Sequence, residues 1–216
     1  MAVKKQAVQA PGGRQAAYSA RNRARLIKDA QEVLAEIGPS ATIEQIAAHA
    51  EVSPTTIYKY FENKDELFVQ ALGEIWEGFL IWSTQNAVSD ERFERIIDIG
   101  RRLFWAKKTH PFFAKILHNT LSENPDFLVR SDRGEGKKVF KEIAASGELK
   151  ADDFEKRWIL WLSATSALLH SVHVKEELSP SEAEEAWGIA LSVWGMSEAK
   201  AKKLMSRPLG LVPVKD

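Results

Sequence analysis

The chain has no cysteine. That excludes a disulfide framework, thiol catalysis and any cysteine-ligated metal centre, and it fits a reducing, cytoplasmic setting. Long apolar runs are missing too. No stretch approaches the ~18 residues of a membrane helix, so no membrane partner is expected. The first residues are basic, but no apolar run comes after them, which is not the build of a secretory signal. No segment alternates apolar and polar residues with the period of two that a half-buried strand needs. A glycine-rich phosphate loop is absent, as is a carboxylate pair with a histidine nearby in a recognisable motif. An enzyme is therefore not expected, and no cofactor is implied. Lys and Arg total 30 and Asp and Glu total 30, so overall charge predicts no partner.

What is present is distributed unevenly. The 216 residues suffice for one domain of ordinary size plus a small one, and 44% are hydrophobic, enough for a real core. Residues 1–28 carry Lys4, Lys5, Arg14, Arg21, Arg23, Arg25 and Lys28 and no acid. A basic end on a neutral protein suggests local contact with a polyanion; a solvated tail has the same composition. Residues 1–19, with Pro11-Gly12-Gly13 in their midst, read as disordered.

After that the chain reads as helix throughout. Leu26, Ile27, Ala30, Val33, Leu34 and Ile37 follow helical spacing, and Gly38-Pro39 stops the run. Thr42 and Gln45 form a capping box before a short helix with Ile43, Ile46, Ala47 and Ala50 on one face. Ser53-Pro54 supplies a cap and a first-turn proline for the next. Asn63 and Glu66 start a longer helix. Further helices are expected from Asp90 to about Lys108, from Pro111 to about Leu121, from Asn124-Pro125 to Gly147 with a kink near Gly134 and Gly136, and over 152–175 and 180–196. The last residues, with Pro208, Gly210 and Pro213, read as an irregular tail.

Residues 42–61 hold two short amphipathic helices joined by a turn of three or four residues. Such a pair crosses steeply, and its second helix fits the major groove of DNA. Ala47 and Ala48 let the helices approach, and Val52 and Ile57 fill their contact. Ser53, Thr55, Thr56 and Lys59 can bond base edges or phosphates, and Tyr58 and Tyr60 have hydroxyls that reach phosphate oxygens. Lys64 opens the next helix, whose positive end adds to its charge. Thr42 can cap its helix or turn to a phosphate. Two short helices packed in an ordinary helical protein would also fit these residues.

The stretch Ile57-Tyr58-Lys59-Tyr60-Phe61-Glu62-Asn63-Lys64-Asp65-Glu66-Leu67 resembles the signature of the tetracycline-repressor (TetR) family, and the match extends back to about Arg21 through Val52-Ser53 and Ile46-Ala47. The resemblance implies an all-α fold of about nine helices, with a three-helix DNA-binding head and a ligand-binding and dimerisation body. It implies Tyr58 and Lys64 as phosphate anchors, Tyr60 beside them on the backbone, Ser53, Pro54, Thr55, Thr56 and Lys59 toward the groove floor, and Thr42 holding a phosphate. One departure stands out. Many members have glycine at the position of Ala50 or Glu51, so the turn here needs a non-glycine residue in a tight conformation, with Glu51 the candidate.

The body holds all seven tryptophans. An aromatic-rich helical body can enclose an apolar pocket, although aromatics at helical spacing also simply form core. In related proteins the pocket lies between the segments that here carry Phe79, Trp82, Phe104, Trp105, Phe112, Phe113, Leu117, Trp158 and Trp161. Two stripes on the last two helices, Phe154, Trp158, Leu162, Thr165, Leu169, Val172 and Ala183, Ala186, Trp187, Ala190, Leu191, Trp194, suit a four-helix homodimer interface, with Ser163, Ala164, Ser166 and Ala167 permitting close approach. Packing within one chain is the alternative. His170 and His173 sit at i, i+3, but no third ligand is identifiable, so they are expected at a surface or interface and no metal is expected. His110 and His118 could each donate a hydrogen bond within the pocket.

The expected organisation is a basic arm over 1–19, a DNA-binding domain over 20–66, a sensing and dimerising domain over 67–197 and a tail over 198–216. The expected function is a repressor released from a palindromic double-stranded DNA operator by an apolar or aromatic small molecule. An activator or a ligand-independent regulator is the alternative.

Overall fold

A computed structural model of the chain describes residues 12–130 and 135–214. All regular structure among them is helical. The chain divides into two compact units, residues 12–33 with 41–73, and residues 34–40 with 74–214.

The first unit, the head, contains most of α1 (Gly12–Glu36), α2 (Ile43–His49), α3 (Pro54–Ile57) and the start of α4 (Lys64–Gln85). Its helices begin where the side chains that cap them lie. Thr42 accepts from the Gln45 N–H while the Gln45 side chain accepts from the Thr42 N–H, closing the expected capping box. Ser53 caps α3 ahead of Pro54, and Asn63 accepts from the Glu66 N–H at the start of α4, 2.8 Å. Leu26, Ile27, Ala30, Val33, Ile43, Ile46, Ala47, Ala50, Ile57, Phe61, Leu67, Phe68 and Ala71 are buried. The disordered reading of residues 1–19 is corrected from residue 12 onward: α1 begins at Gly12, and the sequence from Arg14 to Ala20 holds no proline or glycine to interrupt it. Residues 1–11 lie outside the described residues.

The second unit, the body, continues α4 and adds α5 (Arg92–Phe104), α6 (Ala106–Thr109), α7 (Pro111–Glu123), α8 (Phe127–Arg130), α9 (Glu135–Ala145), α10 (Phe154–His173), α11 (Pro180–Ala190), a 3-10 turn (Leu191–Trp194) and α12 (Glu198–Met205). Helix α10 is central and packs on α5, α7, α8 and α11. Helices α5 and α11 meet closely at Gly100, where an added Cβ would stand 2.3 Å from the Trp187 ring. Gly38, at φ +95°, ends α1 as expected. The helix expected from Asn124 to Gly147 consists of α8 and α9. Gly134 lies outside the described residues, and Gly136 sits in the first turn of α9.

Two expectations for the body are overturned. The irregular tail contains α12, capped by Ser197, and the chain beyond that helix is pinned: Leu209 is buried and the Val214 N–H bonds the Thr109 carbonyl. The two stripes assigned to dimerisation pack within the chain. Trp158, Thr165, Leu169, Val172, Ala183, Trp187, Leu191 and Trp194 are buried, and Phe154, Leu162, Ala186 and Ala190 are half-buried. The cause is that a stripe of apolar side chains packs on whatever apolar surface faces it, and here that surface is the body's own core, built with Phe104, Phe113, Leu117 and Phe140. The same helices leave Ile159, Leu160 and Ile189 exposed.

Candidate nucleic-acid interface

The helix-turn-helix depends on a tight turn. Glu51 adopts φ +53°, the non-glycine left-handed residue expected there. The turn is closed by the Val52 N–H bonding Ala47 O at 2.9 Å. After Ile57 the chain tightens through Tyr58 N–H to Pro54 O, Tyr60 N–H to Ile57 O and Phe61 N–H to Ile57 O, which fixes the backbone beneath residues 58–60 although α3 itself is one turn.

The expected DNA residues lie together on this short segment but are not equivalent. Thr55, Tyr58 and Lys59 are exposed. Ser53 and Thr56 are committed locally: their hydroxyls lie 3.0 Å apart and Ser53 accepts from the Thr56 N–H. Pro54 is half-buried as the first helical residue. The Thr42 hydroxyl is engaged in its capping box. Lys64 is the first residue of α4, with its ammonium 5.3 Å from the Phe68 ring centroid.

Tyr60 is half-buried, and its hydroxyl accepts from the Asn22 side chain at 3.1 Å. That leaves the phenolic proton for an outside acceptor, so Asn22 aims Tyr60 as a donor. Sequence reasoning missed Asn22, because only the packing of α1 brings it to a residue 38 positions away. Arg23 likewise bonds Gln70 and stacks 4.9 Å over Phe61, and Arg25 bonds the Ala50 carbonyl beside the turn. Asp29, Glu32 and His49 bring one potential metal ligand each within 4.8 Å of one another. Glu32 already bonds His49 at 2.9 Å, and the Arg25 guanidinium stands 3.6 Å from Asp29, filling that place with positive charge.

In the body, the residues expected at a ligand pocket fall into two aromatic groups. Phe79 lies 5.9 Å from Trp82 and 5.3 Å from Phe113, with His110 4.4 Å from Trp82. Trp161 packs 4.5 Å from Trp187, Phe140 joins Trp158 to Trp194, and Phe104 reaches Trp187 at 5.9 Å. Leu117 is buried, Trp105 donates to Glu184 at 2.7 Å, and Phe112 is 40% exposed. A separate groove of about 330 Å³ runs between α8 and α10, with Val129, Ser163, Ala167, His170 and Lys175 among its walls.

The histidine pair is not a surface pair. His173 is buried and bonds the Leu103 carbonyl at 2.8 Å, and burial lowers its pKa below 6.5. His118 bonds the His173 carbonyl, and burial also lowers the pKa of His110.

Comparison with known proteins agrees with this head. Residues 26–71 match the profile of the bacterial regulatory proteins, tetR family. The HTH-type transcriptional regulator TcmR of Streptomyces glaucescens is 27% identical over 151 residues, 65% of this chain and 67% of that protein. The structure of RolR with the ligand resorcinol covers 90% of this chain and 97% of its own at TM-score 0.65 and 19% identity. A TetR-family transcriptional regulator from Haemophilus influenzae covers 82% and 97% at TM-score 0.53 and 18% identity. Regulators of this kind bind DNA operators and small-molecule ligands as dimers. The capped helix-turn-helix, the profile match over residues 26–71 and the regulator relatives agree: the head is that of a TetR-type bacterial transcriptional regulator, and the fold of the rest is similar to solved structures of such regulators.

Proposed function

We propose that this regulator is a cytoplasmic repressor that leaves a near-palindromic operator when a small molecule enters its body. The observation that carries the DNA half is the exposed set Thr55, Tyr58 and Lys59 on α3 and the hydrogen-bonded turn that follows it. Thr55 and Lys59 supply base-edge and groove contacts. Tyr58, Tyr60 and Lys64 supply phosphate contacts that set register without reading sequence, and Ser53, Pro54, Thr56 and Thr42 shape the surface around them.

Two heads would present their reading helices to successive major grooves about 34–36 Å apart. The exposed Ile159, Leu160 and Ile189, with small Ser163 and Ala167 between them, give the last two long helices a face for a second copy. The effector would enter among Phe79, Trp82, Phe104, Trp105, Phe112, Phe113, Leu117, Trp158 and Trp161, an environment suited to an apolar or aromatic molecule. Its effect would pass along α4, one helix with residues in both units. A ligand acts only through its preference for one state, and moving a population from 1:99 to 99:1 takes about 10⁴-fold preference.

The test uses duplexes selected from a random pool by the purified protein. Lys64→Ala should weaken binding to all duplexes alike and lower the salt slope by about one, whereas Lys59→Ala should relax sequence preference. An unchanged affinity and slope for Lys64→Ala would refute the assignment. Because RolR was solved with resorcinol, resorcinol is a fitting first probe for release. The mutual packing of the aromatic side chains favours a ligand-independent regulator as the second reading, and a transcription reporter carrying the selected duplex would distinguish it and would also separate repression from activation.

A further inference from the structure

We infer that the first half of α1 is a second DNA-contacting element, a basic stripe that grips the phosphate backbone flanking each half-site. The inference rests on the DNA-binding reading and extends it beyond the helix-turn-helix.

Helix α1 begins at Gly12, so the basic residues from Arg14 onward stand on a helix. Along it Arg14, Tyr18, Arg21, Arg25 and Lys28 recur at alternating spacings of four and three, which places all five on one helix face. All five are exposed. The buried residues Leu26, Ile27, Ala30 and Val33 occupy the opposite face. No acidic residue occurs before Asp29. In the same register Glu32 and Glu36 then carry the opposite charge, so the positive stripe is confined to the first half of the helix. Arg14, Arg21 and Lys28 form no ion pair or side-chain hydrogen bond with any other described residue. Arg25 is the exception, tied to Ala50 O and near Asp29.

Continuity and charge identify the occupant. Arg25 bonds the carbonyl just before the turn residue Glu51, so this face of α1 lies beside the helix-turn-helix turn within the same unit. Asn22, next to Arg21, bonds the Tyr60 hydroxyl, which ties the stripe to the edge of the reading surface. From Arg14 to Lys28 the helix rises about 21 Å, roughly the length of six base pairs at 3.4 Å each along one strand. Three unpaired cations and a tyrosine hydroxyl over that length suit a row of phosphates. They offer nothing that distinguishes one base from another, so the contact adds affinity and footprint but no sequence preference.

The test compares wild type with Arg14→Ala/Arg21→Ala/Lys28→Ala on a selected duplex carrying about ten flanking base pairs on each side, with affinity measured across salt concentration. All three side chains are exposed, and circular dichroism confirms that the fold persists. The expected result is a fall in the log–log salt slope of about 0.9 for each side chain removed per bound protomer, 2 to 3 in all. Between about 50 and 200 mM salt this makes the salt sensitivity of the variant roughly fortyfold smaller than that of wild type. Ranking of duplex sequences should not change, and trimming the flanks should erase the difference between the two proteins. Arg14→Ala alone, far from the head's core, should lower the slope by about one. A slope equal to wild type's on the long duplex overturns the inference, as does a difference that survives trimming. Retention of wild type on anionic vesicles with an unchanged DNA slope in the variant would assign the stripe to a membrane surface instead. If wild type binds no duplex at any salt, the DNA-binding reading itself fails. If wild type binds and the stripe variant matches it in affinity and slope, the inference fails and the helix-turn-helix assignment stands alone.

Discussion

The head and the body differ in what they bury. Among the described residues, every buried side chain of the head is apolar, whereas the body buries Asp98, Arg101, Arg102, His173 and Glu184 along with several hydroxyls. No polar residue of the head is buried as a whole, and its caps and exposed side chains lie within a few residues of each other. The body uses charge as internal fastening. Arg102 donates to the carbonyls of Ser83, Asn86 and Leu209, and Arg101 bonds Asp98, Glu184 and the carbonyls of Leu204, Met205 and Arg207. Burial pushes the Asp98 carboxyl up despite Arg207 and Arg101 beside it. A generic apolar core leaves a head free to vary only its reading surface. A charged core commits the body to one particular arrangement of its C-terminal segment, because a buried charge tolerates few other partners.

The largest expected effect breaks that fastening. Arg102 is 1% exposed, and Arg102→Met keeps much of its volume while leaving at least three carbonyls without a donor. A stability loss of about 3–5 kcal/mol is expected, read as a lower denaturant midpoint for the body with head spectroscopic probes affected less. A loss below about 1 kcal/mol would mean that the C-terminal segment is not held by this residue, and the contrast between the units would collapse.

A middle-sized effect uses the buried imidazole. Burial, followed by the nearby Lys107 and His118 charges, lowers the His173 pKa from its ordinary 6.5, while its bond to Leu103 opposes the shift. The unfolded chain therefore takes up a proton before the folded body does. Stability is fully present above about pH 6.5 and falls as pH drops below it, by up to about 1.4 kcal/mol per pH unit for one histidine. Denaturation at pH 7.5 and 5.5 should show the loss, and His173→Gln should reduce it, leaving the share of His110, whose pKa burial also lowers. Equal stability at both values in the wild-type protein would show that the imidazole becomes charged without cost.

Legibility in the sequence divides along the same line. Thr42, Gln45, Ser53, Pro54 and Asn63 determine the head's helix starts through contacts three residues apart, so short-range reasoning reaches them. The body's stripes are equally visible as periodicity, but periodicity says that a face is buried and not against what; Trp158 and Trp187 go to their own core. The roles of Asn22, Arg102 and His173 depend on partners 38, 107 and 70 positions away, and no local pattern announces such pairs. Residues 12–19 escape a reading by composition because glycine breaks a helix interior but is tolerated at a helix start, and Gly12 and Gly13 stand at the start of α1.

The smallest effect sharpens the view that the head settles its conflicts locally. Glu51 holds φ +53° where many family members use glycine, and an L side chain in that conformation costs about 1–2 kcal/mol. Glu51→Gly removes the steric cost but adds about 0.5–1 kcal/mol of unfolded-state entropy. The net expectation is a head more stable by less than about 1 kcal/mol, with operator affinity unchanged because Glu51 lies in the turn and off the reading helix. Glu51→Val adds branching at Cβ in the same conformation and should lose about 1–2 kcal/mol. Thermal melts of the two variants therefore bracket wild type. If glycine destabilised the head as much as valine did, the side chain of Glu51 rather than its backbone would be holding the turn, and the head would share the body's dependence on a specific polar contact.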